Sequence, residues 1–101
     1  FSRWGFFASG NDYRKNASYE LASHPLVIGV GATTYFDTKE DYSNWGPSLD
    51  ITAPAASVTT DIRGNGGYSS GDYTGNFSGT SAACPVAAGV AGLVLSVDPA
   101  L

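Results

Sequence analysis

The stretch "PLVIGVGAT" at residues 25–33 limits the fold more than any other part of the sequence. Its apolar residues are largely β-branched and lack the alternation that a strand with one solvated face would show. Continuous runs of this kind are typical of parallel strands that are covered on both faces. The sequence therefore predicts a layered α/β fold, in which a sheet is packed between other elements.

Two further strands and one helix are predicted around this strand. Residues 4–8 are apolar and aromatic and end in a Gly/Asn turn, and residues 49–55 form a short strand closed by Pro54. From residue 80 onward, valine and leucine recur every three or four positions, which predicts a helix with Pro85 in its first turn. Residues 58–77, rich in Gly, Ser and Tyr, are predicted to form a long loop or ribbon.

Composition argues against several classes of function. The 101 residues suit one domain, with a net charge of −4 and five basic residues that form no stripe, so we expect no nucleic-acid partner. The longest apolar run lies within residues 82–97 and is interrupted by two glycines. We expect it to be too short for a bilayer, and hence no membrane role. Cys84 is the only cysteine, which excludes an internal disulfide, and we interpret it as a small buried apolar residue.

Ser81 lies at the start of the predicted helix, in the stretch "SGTSAACP". Backbone N–H groups are unpaired there and the helix dipole is positive, so a developing oxyanion would be stabilised. A serine in that place can attack a carbonyl carbon, but it can equally be a helix cap, and local chemistry alone favours the cap. Small neighbours leave the approach to Ser81 open for a substrate backbone. The G-x-S-x-G pattern of α/β-hydrolases is not met, because Ala83 stands where glycine is required.

Several segments of the chain together resemble one protein family. "GTSAACP" resembles the Gly-Thr-Ser-x-Ala-x-Pro nucleophile motif of subtilisin-like serine proteases, and "ASGND" at 8–12 resembles the segment that carries their oxyanion asparagine. "HPLVIGVGAT" and "YSNWGPSLDITAPA" follow in the order and spacing of that family. The resemblance covers nearly the whole chain. It implies the C-terminal portion of a three-layer α/β fold with a mostly parallel sheet and the nucleophile at a helix N-terminus.

The resemblance implies a role for each matching residue. Ser81 would be the nucleophile, and Asn11 would donate its side-chain amide to the oxyanion, although Asn11 taken alone is an ordinary turn residue. The acid-active sedolisins share a similar motif but have aspartate at the position of Asn11, so we prefer the subtilisin-like interpretation. The implied substrate-binding residues are Ala8, Ser9, Gly10, Gly79 and Thr80.

The resemblance also implies that the chain holds half of a catalytic site. The family order is Asp, His, Ser, so both partners of Ser81 should precede residue 1, and His24, Asp12 and Asp50 do not match the catalytic positions. The sequence also lacks methionine. We therefore expect residues 1–101 to be a partial peptidase domain that is inactive alone and needs an upstream segment, in the same chain or associated with it. The alternative is a pseudoprotease or interaction domain that retains the fold.

Expectations on cofactors, substrate and location follow from the same resemblance. The acyl-transfer chemistry needs no cofactor, and the substrate would be a protein or peptide. Asp50 matches a position that sometimes helps to hold a weak cation, but one carboxylate is far from a metal site, so we expect no metal here. The resemblance allows a structural calcium ion elsewhere in a complete domain. We expect the protein to be secreted, and this expectation depends only on the resemblance, because members of the family are often secreted.

Overall fold

The computed structural model describes residue 3 and residues 5–101. Within these residues the chain forms five strands and one long helix, joined by loops and two short 3-10 turns at Leu21–Ser23 and Gly64–Gly66. The elements in chain order are β1 (Gly5–Ala8), β2 (Val27–Thr33), β3 (Ile51–Pro54), β4 (Ser57–Thr60), β5 (Tyr73–Phe77) and α1 (Thr80–Val97).

Strands β1, β2 and β3 form a parallel sheet with β2 in the middle. Nearly every residue of β2 is buried, because α1 packs on one face while Ala22 and Leu49 lie against the glycines of the other. This arrangement confirms the strand that was predicted from its unbroken apolar run. The predicted first strand is present as β1, although its residue 4 lies outside the described residues.

Helix α1 packs on the sheet through alanines. Ala83 and Ala87 join Val30, Ala32, Ala53 and Ala55 in one buried cluster. Short side chains let the helix axis come close to the sheet, so the first two turns of α1 are fixed relative to the ends of the strands. The N-terminus of α1 is therefore held beside the loop that follows β1.

The position of Pro85 differs from the prediction. The helix already begins at Thr80, so Pro85 lies in the second turn rather than the first. Because proline has no N–H, the carbonyl of Ser81 lacks the partner that an α-helix usually provides four residues later. The predicted start of the helix at residue 80 is confirmed, and only the turn assigned to Pro85 was wrong, because five helical residues precede the proline.

The length of α1 also corrects an expectation. The helix has 18 residues with a mean hydropathy of 1.7, and 22% of this stretch is buried. It is therefore long and apolar enough to span a membrane by length and composition, because Gly89 and Gly92 do not interrupt the helix. One such helix is weak support for a membrane span, since a core helix of a water-soluble domain meets the same criterion.

Residues 58–77, predicted as a loop or ribbon, contain most of β4 and all of β5, which pair antiparallel, and residues 61–72 connect the two strands. The carboxylate of Asp61 organises the connection by accepting the N–H groups of Ile62 and Ser69, each at 2.8 Å. Hydrogen bonds to this carboxylate, first of all that from the Ser69 N–H, hold the pKa of Asp61 below its usual value. The long connection is thus a folded hairpin.

The loop after β1 is fixed by Glu20. Its carboxylate accepts hydrogen bonds from the Arg14 guanidinium, the Asn16 amide and the Ala17 N–H. These bonds, with the one from Arg14 contributing most, lower the pKa of Glu20 to about 2. The connection between β1 and β2 is therefore held in a defined shape.

Candidate active site

Ser81 is an exposed residue in the first turn of α1. The helix is preceded by Gly79, whose carbonyl accepts the N–H groups of Ala82 at 3.0 Å and Ala83 at 3.3 Å. Within the part of the chain that the structure describes, neither the N–H nor the hydroxyl of Ser81 makes a hydrogen bond. Both groups are therefore free to contact another molecule, as a nucleophile and an oxyanion donor must be.

Asn11 lies against the start of this helix. Its Oδ1 accepts two hydrogen bonds from Thr80, one from the N–H at 2.9 Å and one from the hydroxyl at 2.8 Å. Because a backbone N–H can only donate, the atom that it faces must be the amide oxygen. The amide nitrogen is then left over, and it donates to no other described residue. Asn11 thus presents a free donor at the helix end that carries Ser81.

Thr80 connects these two residues. Its side chain is 1% exposed, and its hydroxyl donates to Asn11 and accepts the N–H of Gly10 at 3.2 Å. Because the bonds of this buried side chain are used inside the protein, the substrate contact that the resemblance implied for Thr80 stays a prediction, and the side chain offers no free hydrogen-bonding group for it. The structure places Thr80 as the link that holds Asn11 on the helix.

Gly79 is required by the close approach of Asn11. Its backbone has φ +84°, and an added Cβ would lie 3.0 Å from Nδ2 of Asn11. Both the left-handed backbone and the tight contact disfavour any side chain at this position.

If Asn11 is the oxyanion donor that the resemblance implies, Gly79→Ala is expected to lower kcat at least about 10-fold, because displacement of Asn11 by a fraction of an ångström misaligns its amide. The strained backbone is expected to cost about 1–2 kcal/mol of stability. The matched control is Gly75→Ala, because Gly75 lies in β5 with open space around its Cβ position and an ordinary φ. Kinetics and urea unfolding of both variants in the complete peptidase domain test this, and equal kcat values for the two would contradict it.

Ala8, Ser9 and Gly10 form the end of β1 and the residues just after it. The Ser9 N–H donates to the carbonyl of Val30 at 2.9 Å, and the Ser9 carbonyl accepts two side-chain amides. Gly10 donates to Thr80 and accepts from a backbone N–H. The backbone groups of Ser9 and Gly10 are therefore used within the protein. The role of Ala8, Ser9 and Gly10 as one wall of a substrate pocket stays a prediction. Such a wall would contact a substrate by its shape, because the backbone N–H and carbonyl groups of Ser9 and Gly10 are already bonded.

A cleft of about 260 Å³ lies between Asn11, Tyr42, Ser78 and Gly79. The Tyr42 hydroxyl accepts the N–H of Gly79 at 3.2 Å. Burial, with a smaller contribution from the charge of Glu40, raises the pKa of Tyr42, so the hydroxyl stays protonated at neutral pH. Tyr42 was not predicted as a site residue, because it lies in a polar segment that is typical of a turn.

The only histidine in the sequence lies at the N-terminal end of the parallel strands, whereas Asn11 lies at their C-terminal end. His24 precedes β2, whereas Asn11 follows β1, and these two strands run parallel. The His24 ring accepts the N–H of Leu26 at 3.1 Å. His24 is therefore placed away from Ser81, and the sequence contains no second histidine that could act as its base.

The described residues contain no group of three or more His, Cys, Asp or Glu side chains that could hold a metal ion. Asp50 pairs with the guanidinium of Arg3, and its other oxygen accepts the N–H of Gly29 at 2.9 Å. Both carboxylate oxygens of Asp50 are therefore used within the protein, and its match to a weak cation position in the family stays an untested expectation. Cys84 is partly buried against the core, and burial raises the pKa of its thiol. It therefore remains a thiol at neutral pH rather than a reactive thiolate.

A family model described as the subtilase family matches residues 5–101. Subtilisin-like protease 1 of Arthroderma gypseum is 38% identical over 91 residues, which cover 90% of this chain and 18% of that protein. The cell wall-associated protease of Bacillus subtilis is 42% identical over 95 residues, which cover 93% of this chain and 10% of that protein. This chain therefore spans less than a fifth of the length of these two relatives.

Two solved structures share the fold. The prenylagaramide maturation protease PagA superposes with a TM-score of 0.75 and 34% identity, over 90% of this chain and 31% of that one. A cold-adapted subtilisin-like serine proteinase gives a TM-score of 0.67 and 36% identity, over 89% and 30%. These likenesses confirm the predicted α/β fold with a mostly parallel sheet, in which Ser81 lies at a helix N-terminus. Of the three layers that were expected, the described residues supply the sheet and one helix.

Proposed function

The chain belongs to the subtilase family, and from that membership we propose that it carries the nucleophile and the oxyanion donors of a serine endopeptidase. Ser81 is the nucleophile, and the amide of Asn11 and the N–H of Ser81 are the donors. The observation that carries this proposal is the clamp on Asn11. Thr80 holds the amide oxygen with two hydrogen bonds, which leaves the amide nitrogen free beside a helix start with unpaired N–H groups.

The reaction is acyl transfer to serine. Ser81 Oγ attacks the carbonyl carbon of the scissile peptide bond and gives its proton to a histidine base. The negative charge that develops on the carbonyl oxygen is held by the two donors. The C–N bond then breaks as the base returns the proton to the leaving amine, and water hydrolyses the acyl-enzyme.

The base and its orienting aspartate come from outside residues 1–101 in this proposal. The position of His24 at the opposite end of the strands from Asn11 supports this, as does the small share of each relative that the chain spans. Residues 1–101 alone would therefore be inactive, and they would need the upstream part of the catalytic domain in the same chain or as an associated fragment.

The uncovered face of α1 supports a partner of that kind. Val90, Leu93 and Val97 are 56%, 70% and 87% exposed, while the alanines on the other side of the helix are buried in the core. We assign this face to packing within the complete domain rather than to a lipid bilayer, because Ser81 at the start of the same helix must meet a peptide in water. We propose a protein or peptide substrate, secretion or exposure at the cell surface, no nucleic-acid partner and no cofactor for the chemistry.

Hydrolysis of a fluorogenic peptide by the full-length source protein tests this function, with residues 1–101 alone as the comparison. We expect hydrolysis by the full-length protein that stops after treatment with a serine-directed sulfonyl fluoride, and none by residues 1–101. A folded full-length protein that cleaves no peptide from a diverse library would overturn the proposal and leave a non-catalytic interaction domain in its place.

A further inference from the structure

The side chain of Asn44 is almost completely buried, although it belongs to a loop. Its exposure is 1%, and the neighbouring Ser43 is fully buried. The Asn44 amide makes four hydrogen bonds, and every one of them goes to the segment between residues 9 and 14. A buried polar side chain whose hydrogen bonds all go to one segment fixes the shape of that segment.

The four bonds lie on both sides of Asn11. The amide oxygen accepts the N–H groups of Asp12 at 2.8 Å and Arg14 at 3.3 Å. The amide nitrogen donates to the Ser9 carbonyl and to the Asp12 carboxylate, each at 3.1 Å. The backbone N–H of Asn44 adds a bond to the carbonyl of Gly10 at 2.9 Å. The residues immediately before and after Asn11 are therefore both tied to Asn44.

The segment needs an external hold because its backbone is not regular. Gly10 has φ +102° and Tyr13 has φ +58°, so neither a strand nor a helix can stabilise this part of the chain. An added Cβ at Gly10 would lie 2.5 Å from Nδ2 of Asn44, which shows how closely the amide fits against the turn. Thr80 fixes only the tip of the Asn11 side chain, whereas Asn44 fixes the backbone on which that side chain stands.

We propose that Asn44 is a positioning residue for oxyanion stabilisation, acting through Asn11, an inference that rests on the proposed function of Asn11 as an oxyanion donor. The bonds of Asn44 fix the position of residues 9–14 relative to the N-terminus of α1. They thereby fix the place at which the Asn11 amide meets the developing charge. Asn44 itself makes no contact with the reacting atoms.

A double-mutant cycle in the full-length protein tests this inference. Asn44→Ala alone is expected to lower kcat about 10–100-fold with KM changed less than about threefold, because misplacement of a donor affects mainly the transition state. In the Asn11→Ala background, where the donor is already gone, Asn44→Ala is expected to change kcat less than about threefold. The affinity of a peptide boronic acid, which forms the tetrahedral adduct, should fall in parallel with kcat.

Ser43→Ala is the matched control from the same buried loop, because the Ser43 hydroxyl accepts the N–H of Ala32 in β2 and donates to the backbone carbonyl of Asn44, but makes no bond to residues 9–14. It is expected to lower stability while kcat and the effect of Asn11→Ala stay unchanged. Exhaustive titration of Ser81 with a fluorophosphonate counts the folded sites, so kcat is given per site. If Asn44→Ala does not fold, Asn44→Asp replaces it, since Asp keeps the size of the side chain and loses the bonds donated by the amide.

The outcomes separate this inference from the proposed function. If Asn44→Ala lowered kcat by the same factor in the parent protein and in the Asn11→Ala background, the positioning role would be overturned while the endopeptidase function stands. If Asn44→Ala raised KM but left kcat and the affinity for the boronic acid unchanged, the positioning role would be overturned as well. Absence of hydrolysis by the parent protein, or full hydrolysis by its Ser81→Ala variant, would instead overturn the function.

Discussion

Replacing Ser81 with alanine in the full-length protein is expected to lower kcat by about 10⁶-fold, a magnitude already known for loss of the nucleophile in a subtilisin. The Ser81 hydroxyl is exposed and makes no hydrogen bond within the described residues, so its removal should leave the fold intact. The melting temperature is therefore expected to change little. Peptide hydrolysis and thermal unfolding of the purified variant measure the two effects.

Ser96→Ala is the control on the same helix. Ser96 is exposed near the other end of α1, where its hydroxyl bonds the carbonyl of Leu93 at 2.7 Å. Its substitution is expected to leave kcat unchanged. If Ser81→Ala retained more than about a hundredth of the parent activity, acyl transfer to Ser81 could not be the mechanism, because no covalent intermediate can form without the hydroxyl.

Replacing Asn11 with alanine is expected to lower kcat by about 10²–10³-fold with little change in KM, as known for loss of an oxyanion donor in a subtilisin. This loss corresponds to about 3–4 kcal/mol of transition-state stabilisation. Alanine at this position also leaves the Thr80 N–H without its acceptor, so part of the damage would come from the loop rather than from the missing donor.

Asn11→Asp separates the two contributions. An aspartate keeps the oxygen that accepts both Thr80 hydrogen bonds, but it has no N–H and adds a negative charge beside the oxyanion. We expect stability close to that of the parent protein and kcat at least as low as in Asn11→Ala. Parent-like kcat for Asn11→Asp would assign Asn11 a structural role only.

The prediction of the central strand, which the structure confirms, and the proposal of two site residues depend on different kinds of sequence signal. The unbroken apolar run of β2 reflects burial on both faces, which acts on every residue of the strand and so leaves a continuous signal. Ser81 and Asn11 carry no such signal. Local chemistry alone favours a helix cap and a turn residue for these positions, and only their combination in linked motifs pointed to a site.

The sequence did not show which residues hold the site together, although Tyr42 and Asn44 lie within one of the segments that carry the family resemblance. Asn44 and Tyr42 lie in a polar segment that is typical of a surface turn, yet Asn44 is buried by contacts with residues about thirty positions earlier in the chain. Thr80 looks like a neighbour of the nucleophile available to substrate, but the loop after β1 folds over it. Contacts between distant segments decide these cases, and neither periodicity nor composition contains them.

Labelling with a fluorophosphonate, followed by peptide mass mapping, tests most directly whether Ser81 is a nucleophile activated from outside residues 1–101. The full-length protein and the 101-residue chain are compared after circular dichroism and unfolding curves have established that each is folded. We predict modification of Ser81 in the full-length protein and none in the shorter chain. A folded full-length protein that stays unlabelled, or a shorter chain labelled at Ser81 at the same rate, would contradict the account.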